Sequence, residues 1–343
     1  MKRKREVHDL FFSRTWEFLE VHLPKQSGKS SHTIKAYRDS LTVFRRYVYD
    51  VRGRGMAKFS CADCTYEFML EYSRYLQESC RHKPSTVNQR LSALKAYLGY
   101  CSDCDVSLTQ IAIWASRLPF VDVPKLQKPV ISDECLAAMI NAPKDTRIGR
   151  RDKLILIMLF DTAVRVNELL EILVSDMSLN SETPFIQIKG KGNKERIVSV
   201  TDDTAAHIER YLREFHNDER TSNKPLFYTT MKGVSSRMSE SNVERIVRKY
   251  ADIVRKDHPE LPNPVYPHMF RRTRATGLYQ DGVSLDMISR TLGHNSTKTT
   301  RIYAAPSMEM LHEAMDTNII GKAPKEKLWR GSNEEIARMC GLR

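Results

Sequence analysis

The 343-residue chain has no long hydrophobic run. Its longest strongly apolar stretch, Leu154 to Phe160 (LILIMLF), falls far short of the roughly 20 residues that cross a bilayer. Nor does an apolar segment follow the basic opening MKRKR, where EVHDL stands instead, so no secretory signal is expected and the cytoplasm is the expected compartment. Internal repeats and low-complexity segments are also missing. The seven cysteines are an odd number for a disulfide framework, which a chain of this length does not need. Two C-x-x-C pairs, Cys61/Cys64 and Cys101/Cys104, contain enough thiolates for a tetrahedral zinc. Each adjoins a helical segment without a glycine-containing knuckle, and 36 residues separate them. They are read as packed helix-end cysteines, and no metal is expected.

What the chain does have is positive charge: 55 Lys+Arg against 42 Asp+Glu, a formal excess of +13. Residues 1–124 carry 20 and 13 of these, and the remainder 35 and 29, so both halves are basic. Such a distribution points to a polyanion, with double-stranded DNA the leading partner, because cationic side chains displace counterions condensed on phosphate. With 41% hydrophobic residues the chain can bury a core, and its length suggests two domains.

The first third has helical periodicity throughout. Apolar positions recur at Leu10, Phe11, Trp16, Phe18 and Leu19, and again at Ile34, Tyr37, Leu41, Phe44 and Val48. Two further segments run through Phe68, Met69, Tyr72 and Leu76, and through Val87, Leu91, Leu94, Tyr97 and Leu98. Candidate caps are Ser31 or Thr33, Ser60 or Thr65, and Ser85 after Pro84. Four such helices suggest a small bundle, in which Lys35, Arg38, Arg45, Arg90 and Lys95 could follow a phosphate backbone. Pro119, Pro124 and Pro129 then mark an extended linker over 119–130. Beyond it, helices are expected after Ser132, over Arg151–Phe160 and over Arg165–Leu173. Alternation in PFIQIK and RIVSV around a GKGN link predicts a β-hairpin, and helices resume over Asp202–Phe215, Ser239–Lys256 and in short pieces to Asn318.

Four segments carry chemistry: TAVRVNELL, KGKGNKER, PHMFRRTRAT and LGHNSTKTTRIY. Singly each has an ordinary explanation, such as a surface ion pair of Arg165 with Glu168. Together they share a logic. Arg165, Arg271 and Lys191 can neutralise one phosphodiester, the guanidiniums gripping its oxygens bidentately. His268 and His294 can donate to that phosphate or move protons near neutral pH. Tyr303 beside them is a candidate nucleophile, and a hairpin tip suits a lysine that must reach the scissile bond.

In order and wording these motifs resemble the tyrosine recombinase (phage integrase) family, in particular enzymes of bacterial mobile elements and Xer-type, chromosome-dimer-resolving recombinases. The resemblance implies a mainly α fold: a SAM-like core-binding domain (1–118), the linker, and a catalytic domain (131–318) containing a small antiparallel β-sheet. It places Arg165 in the first arginine motif, Lys191 on the hairpin, His268 and Arg271 in H-x-x-R, His294 after LG, and Tyr303 as nucleophile nine residues later. Cleavage would then leave a 3′-phosphotyrosyl bond and a 5′-hydroxyl, and two rounds would exchange strands through a Holliday junction without cofactor, ATP or catalytic metal. Lys191 would protonate the leaving oxygen, His268 would serve as base, and His294 would bond a non-bridging oxygen.

Two positions depart from the commoner family wording. T-A-V stands before Arg165 where T-G-L is frequent, read as a conservative packing change. Arg272 stands where His is frequent. Because the helical pattern begins by Leu10, no additional arm-binding domain is expected. The tail (319–343) carries a capping box, Ser332 with Glu335, and apolar Ile336, Met339 and Leu342. A short helix on a tether is expected to dock in trans within a tetramer built from dimers on each site, with accessory recombinases as further candidate partners. The competing expectations are a cleavage-silent architectural DNA-binding protein and a type IB topoisomerase-like relaxing enzyme.

Overall fold

A computed structural model of the chain describes residues 10–124, 128–190, 195–218, 222–231, 233–293 and 332–341, with Thr300 and Met310. These form two compact units that part between Gln127 and Lys128.

The first unit is helical: α1 (Thr15–Glu17, continued by wider π-type turns over Phe18–Gln26), α2 (Ser31–Arg46), α3 (Tyr66–Glu78), α4 (Pro84–Cys104) and α5 (Thr109–Arg117). Sequence periodicity missed α5, whose inward positions are just Ile111 and Ala115. The caps also sharpen. Ser30, rather than Ser31 or Thr33, accepts from the Thr33 N–H of α2, Thr65 caps α3, and α4 starts with Pro84 in its first turn without a side-chain cap. Aromatic rings dominate the core, with Phe44 4.9 Å from both Phe11 and Tyr72, the latter edge-on. Trp16 faces outward instead, 70% exposed.

The C-x-x-C pairs are explained by packing. Cys61, Cys64 and Cys101 lie in this core, while Cys104 is exposed. Burial, the largest influence on Cys64, pushes its thiol pKa up, which disfavours the thiolate a metal would take. Several expected DNA-facing cations have internal work. Arg38 pairs with Glu20 at 2.5 Å, and Lys95 donates to the Leu118 carbonyl at 2.7 Å and stands 4.0 Å over the Phe120 ring. Asn88 clamps the Val121 backbone by two 2.8 Å hydrogen bonds, so the proline-rich stretch begins pinned to the first unit.

The second unit contains α6 (Asp133–Asn141), α7 (Arg147–Asp161), α8 (Val166–Glu171), β1 (Met177–Ser178), β2 (Phe185–Lys189), β3 (Glu195–Ser199), α9 (Asp202–Phe215), β4 (Tyr228–Met231), β5 (Val234–Arg237), α10 (Glu240–Val254), α11 (Pro267–Gln280), α12 (Leu285–Leu292) and α13 (Asn333–Met339). The LILIM run of α7 is buried across successive positions, which a helix permits only when neighbours cover several sides; α6, α9, α10 and α11 do so. The expected hairpin is present, Lys189 pairing Glu195 and Phe185 pairing Ser199, and β1 extends it to an antiparallel sheet of order β1-β2-β3. Ile186, Ile188 and Val198 face the core. A second hairpin, β4–β5, escaped sequence reading because YTTM and VSSR do not alternate. Ser132, Thr201 and Ser239 cap α6, α9 and α10, each contributing about 1 kcal/mol. Among the described residues no helix is long and apolar enough to cross a membrane.

The chain enters this unit tied to α11. Arg272 donates to the Pro129 carbonyl at 2.9 Å and to the Tyr266 hydroxyl at 3.1 Å, and Thr273 Oγ1 accepts from the Ile131 N–H at 3.0 Å. This accounts for Arg272: it is a buried brace, held by a carbonyl and a phenol.

Candidate active site

Glu168 is the hub. It stands in the first turn of α8, where its carboxylate caps the helix by accepting from the Arg165 N–H at 2.9 Å. The same group receives Arg165 Nη1 at 2.7 Å and Arg196 Nη2 at 2.7 Å, and Arg271 Nη1 lies 3.9 Å away. Three guanidiniums from α8's start, β3 and α11 therefore surround one buried carboxylate, leaving an excess of two positive charges. Burial opposes ionisation of Glu168, but the Arg196 hydrogen bonds, the Arg165 N–H and the surrounding charge outweigh it and hold the pKa at about 2.

The arginines differ in accessibility. Arg165 is 43% exposed and presents its outer face to solvent. Arg271 is 1% exposed, and its terminal nitrogens donate to the carbonyls of Ala163 and Leu292, both at 2.6 Å. Arg271 thus binds the turn before Arg165 to the end of α12. Arg196 makes a parallel link, donating from Nε to the Thr291 carbonyl at 3.0 Å. At Gly293, φ is +63°, and a Cβ would sit 2.9 Å from Arg196 Nη1. Both the left-handed backbone and the guanidinium held against it favour glycine at this position of the LGH motif.

His268 shares a face of α11 with Arg271, three residues on. Part of its side chain reaches solvent, but the surrounding protein desolvates the ring, and Arg271, Arg272, Lys128 and Arg165 add repulsion. These causes lower its pKa from 6.5 to about 4. The ring is neutral at pH 7 and able to accept a proton. With the folded value depressed, the stability from a neutral His268 is complete above pH 6.5 and is lost as pH falls toward 4. We expect its ring NMR resonances in DNA-free protein to stay flat between about pH 8 and 5.5, where an unperturbed histidine titrates; a midpoint near the ordinary value would remove this cationic setting.

Lys191, His294 and Tyr303 lie outside the described residues. The strands flanking Lys191 are paired through Lys189 and Glu195, and Lys189 itself is engaged by Asp176 at 3.4 Å.

Residues 129–310 match the phage integrase family, and residues 17–103 match the phage integrase N-terminal SAM-like domain. The chain belongs to the phage integrase family. Tyrosine recombinase XerC of Staphylococcus haemolyticus (strain JCSC1435) is 30% identical over 304 residues, spanning 87% of this chain and 93% of the relative. Among solved structures, XerH recombinase bound to difH substrate in a pre-cleavage complex has a TM-score of 0.64 at 21% identity, covering 87% of this chain and 83% of that one. The Tn1549 transposon integrase in complex with transposon right end DNA has a TM-score of 0.60 at 16% identity, with coverage of 87% and 97%. The family and its curated relatives make this chain a site-specific tyrosine recombinase, which cleaves and rejoins DNA through a phosphotyrosine intermediate.

Within that family, the alanine of T-A-V is more than a packing change. Ala163 has φ +49°, in the left-handed region that glycine favours. Alanine there costs about 1–2 kcal/mol. Two effects offset this. Its buried methyl packs with Ala275, Ile288 and Leu292, worth about 0.8 kcal/mol, and alanine restricts the unfolded chain by about 0.4–1 kcal/mol relative to glycine. We expect Ala163→Gly to change stability by less than about 1 kcal/mol in thermal melts, and Ala163→Val to destabilise by at least about 2 kcal/mol through overpacking and a β-branched side chain in that backbone. A well-tolerated valine would mean the turn relaxes.

Sequence reading missed two members of this constellation. Glu168 was visible only as a surface ion-pair partner of Arg165, because periodicity does not reveal that α8 is covered. Arg196 lies on the same strand face as Val198 and Val200, and nothing in the RIVSV alternation indicates that its long side chain reaches across to α8 and α12.

Proposed function

We propose that Tyr303 attacks the scissile phosphate, producing a 3′-phosphotyrosyl bond and a free 5′-hydroxyl. Arg165 and Arg271 stabilise the charge of the pentacoordinate transition state, Lys191 protonates the departing 5′-oxygen, neutral His268 takes the tyrosine proton, and His294 bonds a non-bridging oxygen. The 5′-hydroxyl of a partner strand then attacks the phosphotyrosine, and two such rounds pass through a Holliday junction. The observation carrying this reading is the convergence of Arg165 and Arg271 on Glu168, from elements more than 100 positions apart in the chain, with net positive charge left over. In the conformation described, Arg165 offers the accessible guanidinium. Direct contact of Arg271 with phosphate requires the surface over it to open.

The SAM-like unit (1–118) and the catalytic unit (131–318) both contact duplex DNA, with exposed Lys35 and Arg45 among the contacts in the first. Recombination proceeds in the cytoplasm, from dimers on each site to a tetramer, with the helix in tail 319–343 docking on a neighbouring copy. That tail helix has the expected capping box and leaves Met339 exposed. We infer integration, excision or transposition of a mobile element as the setting, which mapping of cleavage sites in DNA flanking the gene would test.

The direct test uses a nicked suicide substrate, from which the short fragment carrying the new 5′-hydroxyl diffuses away. A covalent protein–DNA adduct is expected, followed by strand exchange between two intact duplexes. Binding without adduct would leave an architectural role, and adduct with relaxation but no exchange would indicate a topoisomerase.

A further inference from the structure

Outside the active site, one group of side chains has unused chemistry. Cys135 Sγ, His258 Nδ1 and a Glu260 carboxylate oxygen all lie within 4.8 Å of one another, the one such group of metal-ligating side chains among the described residues. Glu260 Oε1 lies 3.2 Å from Cys135 Sγ and 3.0 Å from His258 Nδ1. Both donors therefore converge on a single point. None of the three touches the Glu168 constellation, and the phosphoryl-transfer chemistry has no use for them.

We propose that Cys135, His258 and Glu260 form a structural zinc site in the second unit, with water in the fourth position. Thiolate, imidazole and carboxylate are the donor types zinc takes. Bonds of about 2.3 Å to sulfur and 2.0–2.2 Å to nitrogen or oxygen place tetrahedral ligand atoms roughly 3.4–3.6 Å apart. The two separations to Glu260 Oε1 are a few tenths of an ångström shorter, so a small outward rotation of that carboxylate makes room for the ion. Cys135 is buried in the first turn of α6, and burial pushes its thiol pKa up, so the ion must displace the thiol proton to solvent as it binds. His258 and Glu260 are more exposed and leave a side open for entry and for the water.

The loop is already shaped to present its ligands. The His258 N–H donates to the Val254 carbonyl at 2.9 Å, the Leu261 N–H to the His258 carbonyl at 3.1 Å, and Arg255 Nη2 to the Pro262 carbonyl at 3.1 Å. Bound zinc would fasten the end of α10 to the start of α6. The first of these leads into Pro267 and His268 of α11, and the second follows the segment that Arg272 and Thr273 hold. The ion would brace the frame of the active site without entering the reaction. The ligands were not recognisable as a motif because 125 positions separate Cys135 from Glu260.

The test uses the full chain, stripped with chelator under reducing conditions and titrated separately with Zn2+ and Co2+. One equivalent of each should bind with a Kd below about 10 μM. Cobalt should show tetrahedral d–d bands and a thiolate charge-transfer band that disappears in Cys135→Ser. His258→Ala and Glu260→Gln alter a half-buried and an exposed side chain, and the Tm of each metal-free variant checks that it folds. Each should weaken binding by about 10- to 100-fold and remove the rise in Tm that zinc gives the parent protein. A charge-transfer band that persists in Cys135→Ser would assign the metal to other cysteines. Such a band, zinc affinity unchanged in both loop variants, or no binding of either ion would each overturn the proposal.

Discussion

Tyr303→Phe is expected to bind its DNA site as the parent protein does and to form no covalent adduct. The substitution removes one oxygen and retains the ring, so site affinity, which depends on cationic contacts over both units, should change little. The adduct depends on that oxygen alone, because a phenyl ring has no nucleophile and water attack leaves no protein–DNA bond. On the nicked suicide substrate the adduct should fall below detection, while mobility-shift titrations stay within about twofold. Salt should separate the two properties further. Site binding should weaken steeply as ionic strength rises, whereas the fraction of bound complexes that react should change less, since charges buried at the scissile phosphate are poorly screened. An undiminished adduct would place the nucleophile elsewhere, and peptide mapping of the adduct would locate it.

Glu168→Gln should be among the most damaging single changes to the second unit. The carboxylate is buried and compensates Arg196 and the fully buried Arg271. Breaking a buried ionic network from one side typically costs about 3–5 kcal/mol, because the remaining charges cannot rehydrate. Glutamine keeps the shape and one acceptor, so a loss near 3 kcal/mol is expected, or a fall in Tm of about 6–12 °C for a unit of this size. Alanine should be worse. Acid sensitivity supplies an independent signature. In the parent the folded pKa of about 2 lies below the ordinary 4.5, so the stabilisation from Glu168 is complete above pH 4.5 and lost as pH falls toward 2. The variant should lack that component of acid unfolding. Measured at a temperature where it is folded, it should also cleave poorly, since Arg165 and Arg271 lose their shared anchor. Unchanged Tm and cleavage would mean that the arginines hold their places through the Ala163, Leu292 and Thr291 carbonyls alone.

These two expectations draw on different sources. Tyr303 comes from local wording: nine residues after His294, in a run of motifs whose order is itself informative. Glu168 was in view as a residue but not as a hub. Its importance depends on Arg196 arriving from a strand and Arg271 from a helix, contacts that no local pattern encodes. Ala163 lies between these cases. A substitution that looks conservative in composition becomes a backbone question once φ is known. The cations of the first unit illustrate the reverse. Charge counts put Arg38 and Lys95 among prospective DNA contacts, yet one pairs with Glu20 and the other holds the C-terminal end of its own unit.

The residues alone determined the broad outline: a basic, mainly helical, two-unit chain with a hairpin and four ordered motifs. Periodicity of apolar residues and the spacing of reactive ones are local properties, legible along one dimension. Tertiary structure decided which charges are spent and which remain available. It buries Arg271, exposes Arg165, lowers the pKa of His268, and draws Arg196 and Glu168 into one network. Desolvation and Coulomb energy depend on distance through space and on what excludes water, and both are set only when distant segments pack together.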